Sequence, residues 1–253
     1  MKIKLLIFFI LANFFPIMLE CSPFIDKIVL FERGTPYNGD FQEQSKIFGP
    51  PQAYDASGIG GSTDVLNIGV GGKIVVGFEG KVIFDGAGSD FVIYENPFYI
   101  SGSTEHIFLE PAYVFVSSDG DNWTSFTTHY QVQNPPLQYD DNPLHYSGFA
   151  GIHPVFSNST NGIDPLNQLS AGGDWFDLSD ISDTALRDGV DIQNICFIKI
   201  VDVSAGVGRD SDGNIIPGVY YPSLDGFDID AIGCKNFRNI LSECNNKIWN
   251  MFE

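Results

Sequence analysis

The chain has 253 residues, of which 43% are hydrophobic and 14% aromatic, and its formal net charge is −19 at pH 7. This acidity makes nucleic acids and anionic membrane surfaces poor partners, because both repel a negatively charged protein, and it favours cations or basic surfaces. The length suffices for one large domain or two small ones.

The first predicted element is an export signal at residues 1–20. A basic start is followed by an apolar run of about 15 residues, which is shorter than the ~20 residues of a membrane-spanning helix. Cys21 stands where a bacterial lipoprotein signal places its acylated cysteine, although Glu20 replaces the usual small residue. We therefore expect an exported protein. It is either a surface or outer-membrane lipoprotein, anchored at Cys21 with residues 21–25 as the tether, or a secreted protein.

Short strands dominate the remainder. Segments rich in β-branched and aromatic residues and bounded by Gly, Asp or Asn predict strands at 73–78, 81–84, 91–94, 112–116, 196–203 and 227–232. Several are apolar at nearly every position, as expected for strands inside a sandwich. The pattern at 236–252 favours a short helix. The sequence therefore predicts an all-β fold, with one β-sandwich domain at 26–235 and a C-terminal extension at 236–253.

The loops between these strands are long. His129 to Gln168 contains five prolines, and a structureless loop of that length in a compact domain is often functional. Aromatic residues in such loops are candidate contacts to a ligand, although each is at least as strongly expected to pack its own loop. The candidates are Tyr139, Tyr146, Trp175 and Tyr220.

Four acidic segments with aromatic neighbours join glycine-containing turns to strands, at 85–98, 110–123, 171–180 and 225–232. Clustered carboxylates repel one another, so a fold that gathers them usually recruits a hard cation such as calcium. In the last segment, strand alternation places Asp228 and Asp230 on one face. A calcium site there would also need acids from distant loops, such as Asp90 and Glu95. The alternative is an edge strand whose acidic face is solvated.

The order of these segments resembles a family of bacterial cell-surface proteins of uncertain function, over roughly residues 26–234. Val-Ser-Ser-Asp-Gly-Asp-Asn-Trp at 116–123 and Phe-Asp-Ile-Asp-Ala-Ile at 227–232 are also similar to galactose-binding-like jelly rolls of the discoidin and carbohydrate-binding-module type. The resemblance implies a single jelly-roll β-sandwich with a structural calcium held partly by Asp230, with Asp228 beside it. It implies no catalytic residues.

The cysteines permit a disulfide, because an export signal implies an oxidising compartment. Cys234 and Cys244 are close enough in sequence to close a short C-terminal loop, which would leave Cys196 as a buried thiol. Their spacing does not resemble a zinc site.

Three functions follow from these patterns. The favoured one is a non-enzymatic, exported and calcium-stabilised adhesion or binding protein whose ligand is a glycan or an extracellular protein. The alternative is a secreted glycoside hydrolase or polysaccharide lyase that uses paired carboxylates. The chain has no HExxH, Gly-x-Ser-x-Gly or phosphate-loop motif to support an enzyme. The third is a structural subunit of a surface layer.

Overall fold

Antiparallel strands form most of the regular structure in the computed structural model, which describes residues 22–218 and 226–240. The strands are β1 (Lys27–Glu32), β2 (Leu66–Asn67), β3 (Lys73–Gly77), β4 (Lys81–Ile83), β5 (Phe91–Tyr94), β6 (Phe98–Tyr99), β7 (Ile107–Phe108), β8 (Ala112–Ser117), β9 (Thr124–Ser125), β10 (His129–Tyr130), β11 (Tyr146–Ser147), β12 (Asp174–Phe176), β13 (Phe197–Asp202), β14 (Asp228–Ile229), β15 (Ala231–Cys234) and β16 (Phe237–Asn239). The predicted all-β fold is confirmed.

Helical structure in the described ranges is short. It comprises the α-helix α1 (Ser182–Asp188) and 3-10 helices at Gln44–Ile47, Ile100–Gly102, Pro143–His145 and Leu178–Ile181. Helix α1 ends at Gly189, whose φ of 77° is the left-handed conformation that favours glycine at a helix C-terminus. None of these helices is long and apolar enough to cross a membrane. The start of the predicted 236–252 helix is wrong, because 237–239 form β16, and its remainder beyond 240 lies outside the described residues.

Two sheets face each other across the main core. The first has the order β1-β3-β13-β8-β9, and the second has the order β12-β5-β15. Alternate residues of each strand point inward, as the two-residue period of a strand requires. The main core contains Ile74, Val76, Val114, Val116, Ile198 and Ile200 from the first sheet, and Phe91, Ile93, Phe176, Ile232 and Cys234 from the second.

Smaller apolar clusters cover the outer faces of both sheets. Val75 and Phe197 of the first sheet pack with Val29 and Val82, while Val92 and Tyr94 of the second pack under loop residues. Strands that are buried on both faces read as continuous apolar runs, which is why 91–94 and 196–201 lack polar alternation. Trp123 follows the Asp119-Gly120 turn and packs on the first sheet, with its ring 6.5 Å from that of Phe197.

The loop from 129 to 168 is not structureless. It contains β10, β11 and a 3-10 turn, and strands β10 and β11 pair with each other. Its side chains join a second apolar cluster together with residues from three other segments. That cluster comprises Ile107, Leu109, Tyr130, Tyr146, Phe149, Ile152, Val203 and Ile216. Burial of these residues makes the loop part of the folded body.

The closing strand is interrupted at Asp230, which separates β14 from β15. The regular alternation that the sequence predicts through 227–232 is therefore wrong beyond the interruption. Phe227, Ile229 and Ile232 all enter the main core, whereas Ala231 packs on the outer face. The solvated edge-strand alternative is also wrong, because β15 pairs with β5 on one side and with residues 23–25 on the other.

Residues 23–25 belong to the sandwich, although 21–25 were predicted to form a tether. The N–H of Cys234 donates to the carbonyl of Pro23 at 2.7 Å, and the N–H of Ile25 donates to Ile232 at 3.1 Å. Lys81 is fully buried, and its ammonium group donates to the carbonyls of Ser22 and Phe24. A lysine is buried only when its charge is satisfied, so these carbonyls fix the N-terminal segment in place. Cys21 lies outside the described residues.

The predicted Cys234–Cys244 disulfide is wrong. Cys234 is a free thiol, fully buried in the main core by its position on β15. Cys196, predicted to be the buried thiol, is instead disulfide-bonded. Burial raises the pKa of the Cys234 thiol to about 12, which keeps it protonated and unreactive.

Candidate cation-binding centre

Three carboxylates meet near the end of the second sheet. Glu95, Glu110 and Asp228 each offer an oxygen, and these oxygens lie within 4.8 Å of one another. The residues are 2%, 5% and 5% exposed, respectively. Like charges at this spacing repel strongly when water is excluded, so the cluster needs compensating positive charge, protons or hydrogen-bond donors.

The sheets bring these residues together from distant parts of the chain. Glu95 directly follows β5, Glu110 stands two residues before β8, and Asp228 opens β14. Strand β14 pairs with β2, where Asn67 lies opposite Asp228 and donates its amide group to the Asp228 carboxylate at 2.8 Å. Gly151 approaches the Glu110 carbonyl so closely that a Cβ atom would lie 2.1 Å from its oxygen. A side chain at 151 would therefore displace Glu110.

One oxygen of the Glu95 carboxylate has no hydrogen-bond partner among the described residues. Its Oε1 accepts a hydrogen bond from the Asp228 backbone N–H at 3.0 Å, but its buried Oε2 has no partner within 22–218 and 226–240. Burial, reinforced by the charge of Asp228, raises the pKa of Glu95 well above its usual range. A buried carboxylate oxygen without a partner costs about 1–3 kcal/mol or more, so Oε2 of Glu95 is expected to carry a proton or to bind a ligand.

The donor set fits a hard divalent cation. Carboxylate oxygens without histidine or cysteine favour calcium or magnesium over zinc. Calcium binds oxygens at about 2.4 Å, so ligands on opposite sides of the ion are about 4.8 Å apart. Magnesium usually retains several waters, which suits this dry position less well. Glu95, Glu110 and Asp228 would hold the ion, and its charge would offset their mutual repulsion.

Asp90 lies apart from this centre, although it was predicted to converge with Glu95. The two residues flank β5 at opposite ends, about 16 Å apart along the strand. Both Asp90 oxygens accept hydrogen bonds, from the Gly86 N–H at 2.9 Å, the Leu178 N–H at 2.7 Å and the Asn236 amide at 2.7 Å. Asp85 and Asp177 lie close to Asp90, and the three form a second acidic group. The hydrogen bonds that Asp90 accepts from the surrounding turns explain why its carboxylate is buried there.

Asp230 is also outside the three-carboxylate cluster. It is 1% exposed, and both of its oxygens accept from the backbone N–H of Gln52, at 2.9 and 3.0 Å. Burial raises the pKa of Asp230 to about 8. The residue fixes the loop before β2 to the closing strand. Of the four predicted metal ligands, the structure therefore brings only Glu95 and Asp228 together.

Glu110 was not predicted as a candidate ligand, although Glu110-Pro111-Ala112 is one of the segments that carry the family resemblance. The signal was an acid placed immediately before a proline and a buried strand. Strand prediction gives no information on which loops meet in space, so Glu110 could not be grouped with Glu95 and Asp228.

The aromatic ligand-contact candidates have different environments. Tyr146 is 6% exposed and packs in the second apolar cluster, where its hydroxyl donates to the Asp140 carbonyl. Trp175 is half-buried, and its indole N–H donates to the Gly172 carbonyl at 2.9 Å. Tyr139 is 46% exposed, and Tyr220 lies outside the described residues. Of the three candidates within the described ranges, Tyr139 is the most exposed.

A carboxylate–imidazole pair lies close to the cation-binding centre. Asp174 is buried, and one of its oxygens accepts from the backbone N–H groups of Gly151 and Ile152 at 2.7 and 3.0 Å. Its other oxygen lies 2.7 Å from Nδ1 of His153. This hydrogen bond raises the pKa of His153 above its usual value. Asp174 also contributes to the raised pKa of Glu95, so the two groups share one electrostatic environment.

No protein-family model and no curated protein matches this chain. The assignment of function therefore depends on the residues and their geometry.

Proposed function

We propose that this chain is a calcium-stabilised extracellular β-sandwich that acts as a binding or adhesion protein. The observation that carries the proposal is the buried Oε2 of Glu95, which has no partner in the described ranges and belongs to a cluster of three carboxylates. The basic, apolar pattern of residues 1–20 supports export, and Cys21 supports a lipid anchor at the cell surface. Extracellular calcium would then be available to the centre.

A structural role for the ion suits the position of the cluster better than catalysis. The three carboxylates are at most 5% exposed, which does not suit the open access that hydrolysis of a glycosidic bond by a carboxylate pair requires. The ion would instead join the segments that follow β5, precede β8 and open β14. Binding to the folded state alone raises its stability, by about 2.7 kcal/mol when free calcium is 100 times its dissociation constant.

The test is a calorimetric titration of calcium into chelator-stripped protein, with thermal melting measured in parallel. We expect one ion per chain and a rise in melting temperature, and we expect Glu95→Gln to abolish both. Glu79→Gln is the matched control, because Glu79 is exposed and outside the cluster. Absence of calcium binding, or equal binding by the Glu95→Gln variant, would refute the proposal.

A further inference from the structure

A small pocket lies where the chain leaves β13. Its volume is about 210 Å³, which is below the range of drug-sized sites and matches a single side chain or a small amine. The walls are mostly aliphatic and include Val70, Val203 and Val207. Val207 is 74% exposed, so a ligand can contact this wall from solvent. Two acidic residues, Asp202 and Glu110, line the same space, which we call the Asp202 pocket.

The charge of Asp202 is not balanced by a cation. The side chain is 6% exposed, and its two oxygens accept from the backbone N–H groups of Gly71 at 2.8 Å and Phe227 at 3.0 Å. In the part of the chain that the structure describes, no lysine, arginine or histidine forms an ion pair with Asp202. Each carboxylate oxygen can accept a second hydrogen bond, so Asp202 retains acceptor capacity at the pocket.

The pocket combines two features that select the chemistry of its ligand. An inorganic cation would leave the aliphatic walls without a contact, and a neutral apolar ligand would leave the carboxylates without a charge partner. A positive group on an aliphatic stem satisfies both, because the stem covers the valines while the charge meets Asp202. The net charge of −19 also attracts cationic ligands to the protein.

We infer that the Asp202 pocket binds an aliphatic ammonium group, as carried by a lysine side chain of a protein ligand or by a free amine. This inference rests on the proposed binding function and names the chemistry of its partner. It does not depend on the calcium ion, because Asp202 is outside the three-carboxylate cluster, although Glu110 belongs to it.

A guanidinium group matches the pocket less well than an ammonium group. Its planar fork pairs best with both oxygens of one carboxylate at once. In Asp202 each oxygen already accepts one backbone N–H, and these bonds restrict the approach of a fork. An ammonium group is compact and can donate to a single oxygen.

The test titrates the full chain, in calcium-containing buffer, with n-butylammonium and with lysine capped at both ends. Capped norleucine and n-butanol are the neutral counterparts. A pH of about 8 keeps Asp202 ionised, because burial raises its pKa to about 6. The NMR signals of the Gly71 and Phe227 amides report on the site, since both groups donate to Asp202. We expect both amines to shift these signals in a saturable way, and the neutral counterparts to leave them unchanged.

Two variants test the two features separately. Asp202→Asn should weaken amine binding by about tenfold or more, because a charge-assisted hydrogen bond is lost. Asp121→Asn is its control, since Asp121 is exposed and outside the pocket. Val207→Ser should weaken binding by about threefold through lost apolar contact, and it leaves the Asp202 hydrogen bonds in place. Val132→Ser is the control for Val207→Ser, because Val132 is 52% exposed and outside the pocket.

Binding of both amines, with the expected losses in Asp202→Asn and Val207→Ser, would support the inference and a lysine of a protein ligand as its source. Binding of n-butylammonium alone would support it with a free amine as the source. The inference would be overturned if neither amine bound, if the neutral counterparts bound equally well, if capped arginine bound more tightly than capped lysine, or if both variants bound as well as their controls. A protein that binds amines but no calcium refutes only the calcium proposal, whereas one that binds calcium but no amine refutes only this inference.

Discussion

The backbone N–H of Asp228 donates to Oε1 of Glu95 at 3.0 Å, while the side chains of the same two residues belong to one acidic cluster. The main chain of Asp228 thus holds in place a carboxylate that its own side chain repels. An arrangement of this kind is expected to be stable only when the cluster carries a proton or a cation.

The first prediction concerns the direction in which a substitution at Glu95 changes the free energy of unfolding. In chelator, Glu95→Gln should raise the free energy of unfolding by about 1–2 kcal/mol, because it removes a buried acidic group whose pKa the fold raises and keeps an acceptor for the Asp228 N–H. With saturating calcium the order should reverse, because only the original protein gains the energy of ion binding. Urea denaturation in both buffers measures this crossing. A Glu95→Gln protein that is less stable in both buffers would argue for a purely structural carboxylate.

The second prediction distinguishes Asp90 from a metal ligand. Asp90→Ala should lower stability by about 3 kcal/mol, because three hydrogen bonds to a buried carboxylate are lost and their donors remain. The loss should be the same in calcium and in chelator. Asp85→Ala, in the same acidic group but half-buried, should change stability by less than about 0.5 kcal/mol. A calcium-dependent effect at Asp90 would contradict the assignment.

The third prediction concerns pH. The pKa of His153 is raised in the folded state by its hydrogen bond to Asp174, so its contribution is fully present below the unfolded pKa and is lost as pH rises through the folded pKa. Between about pH 6 and about pH 8 the stability that His153 contributes should therefore fall, in addition to the fall that the raised pKa of Asp230 causes. In His153→Gln this share of the pH dependence should disappear. Denaturation of both proteins at the two pH values is the measurement, and identical slopes would contradict it.

The fourth prediction concerns Lys81. Lys81→Met should lower stability by about 2–4 kcal/mol, because the carbonyls of Ser22 and Phe24 lose their donor inside the protein. Hydrogen exchange at the amides of Ile25 and Cys234 should accelerate, since these report on the pairing of residues 23–25 with β15. Lys73→Met is the control, because its ion pair with Glu32 is exposed and should contribute little. Unchanged exchange in Lys81→Met would show that Lys81 does not fasten this segment.

The strands were predictable because their signal is local. Residues 91–94 form β5 as predicted, and the predicted strands at 73–78, 112–116 and 196–203 each differ from the structure by one or two residues at their ends. β-branched and aromatic runs bounded by Gly, Asp or Asn carry this information without reference to the rest of the chain.

The cation-binding centre was only half predictable. Glu95 and Asp228 could be named because acids at strand ends are visible in sequence, but their grouping with Glu110 depends on how β5, β8 and β14 are placed in space. The interruption at Asp230 was also invisible, because regular alternation was assumed through the closing strand. That carboxylate is held by Gln52, which is 178 positions distant in the chain. Long-range hydrogen bonds of this kind have no local signature.

The N-terminal segment connects the two layers. Residues 23–25 pair with β15 of the second sheet, and the chain then enters the first sheet as β1. A pulling force applied at Ser22 would therefore act first on the Lys81 contacts and the bonds to β15, and would reach β1 only after these had broken. Tension at this end should therefore break these bonds before it loads the main core between the sheets.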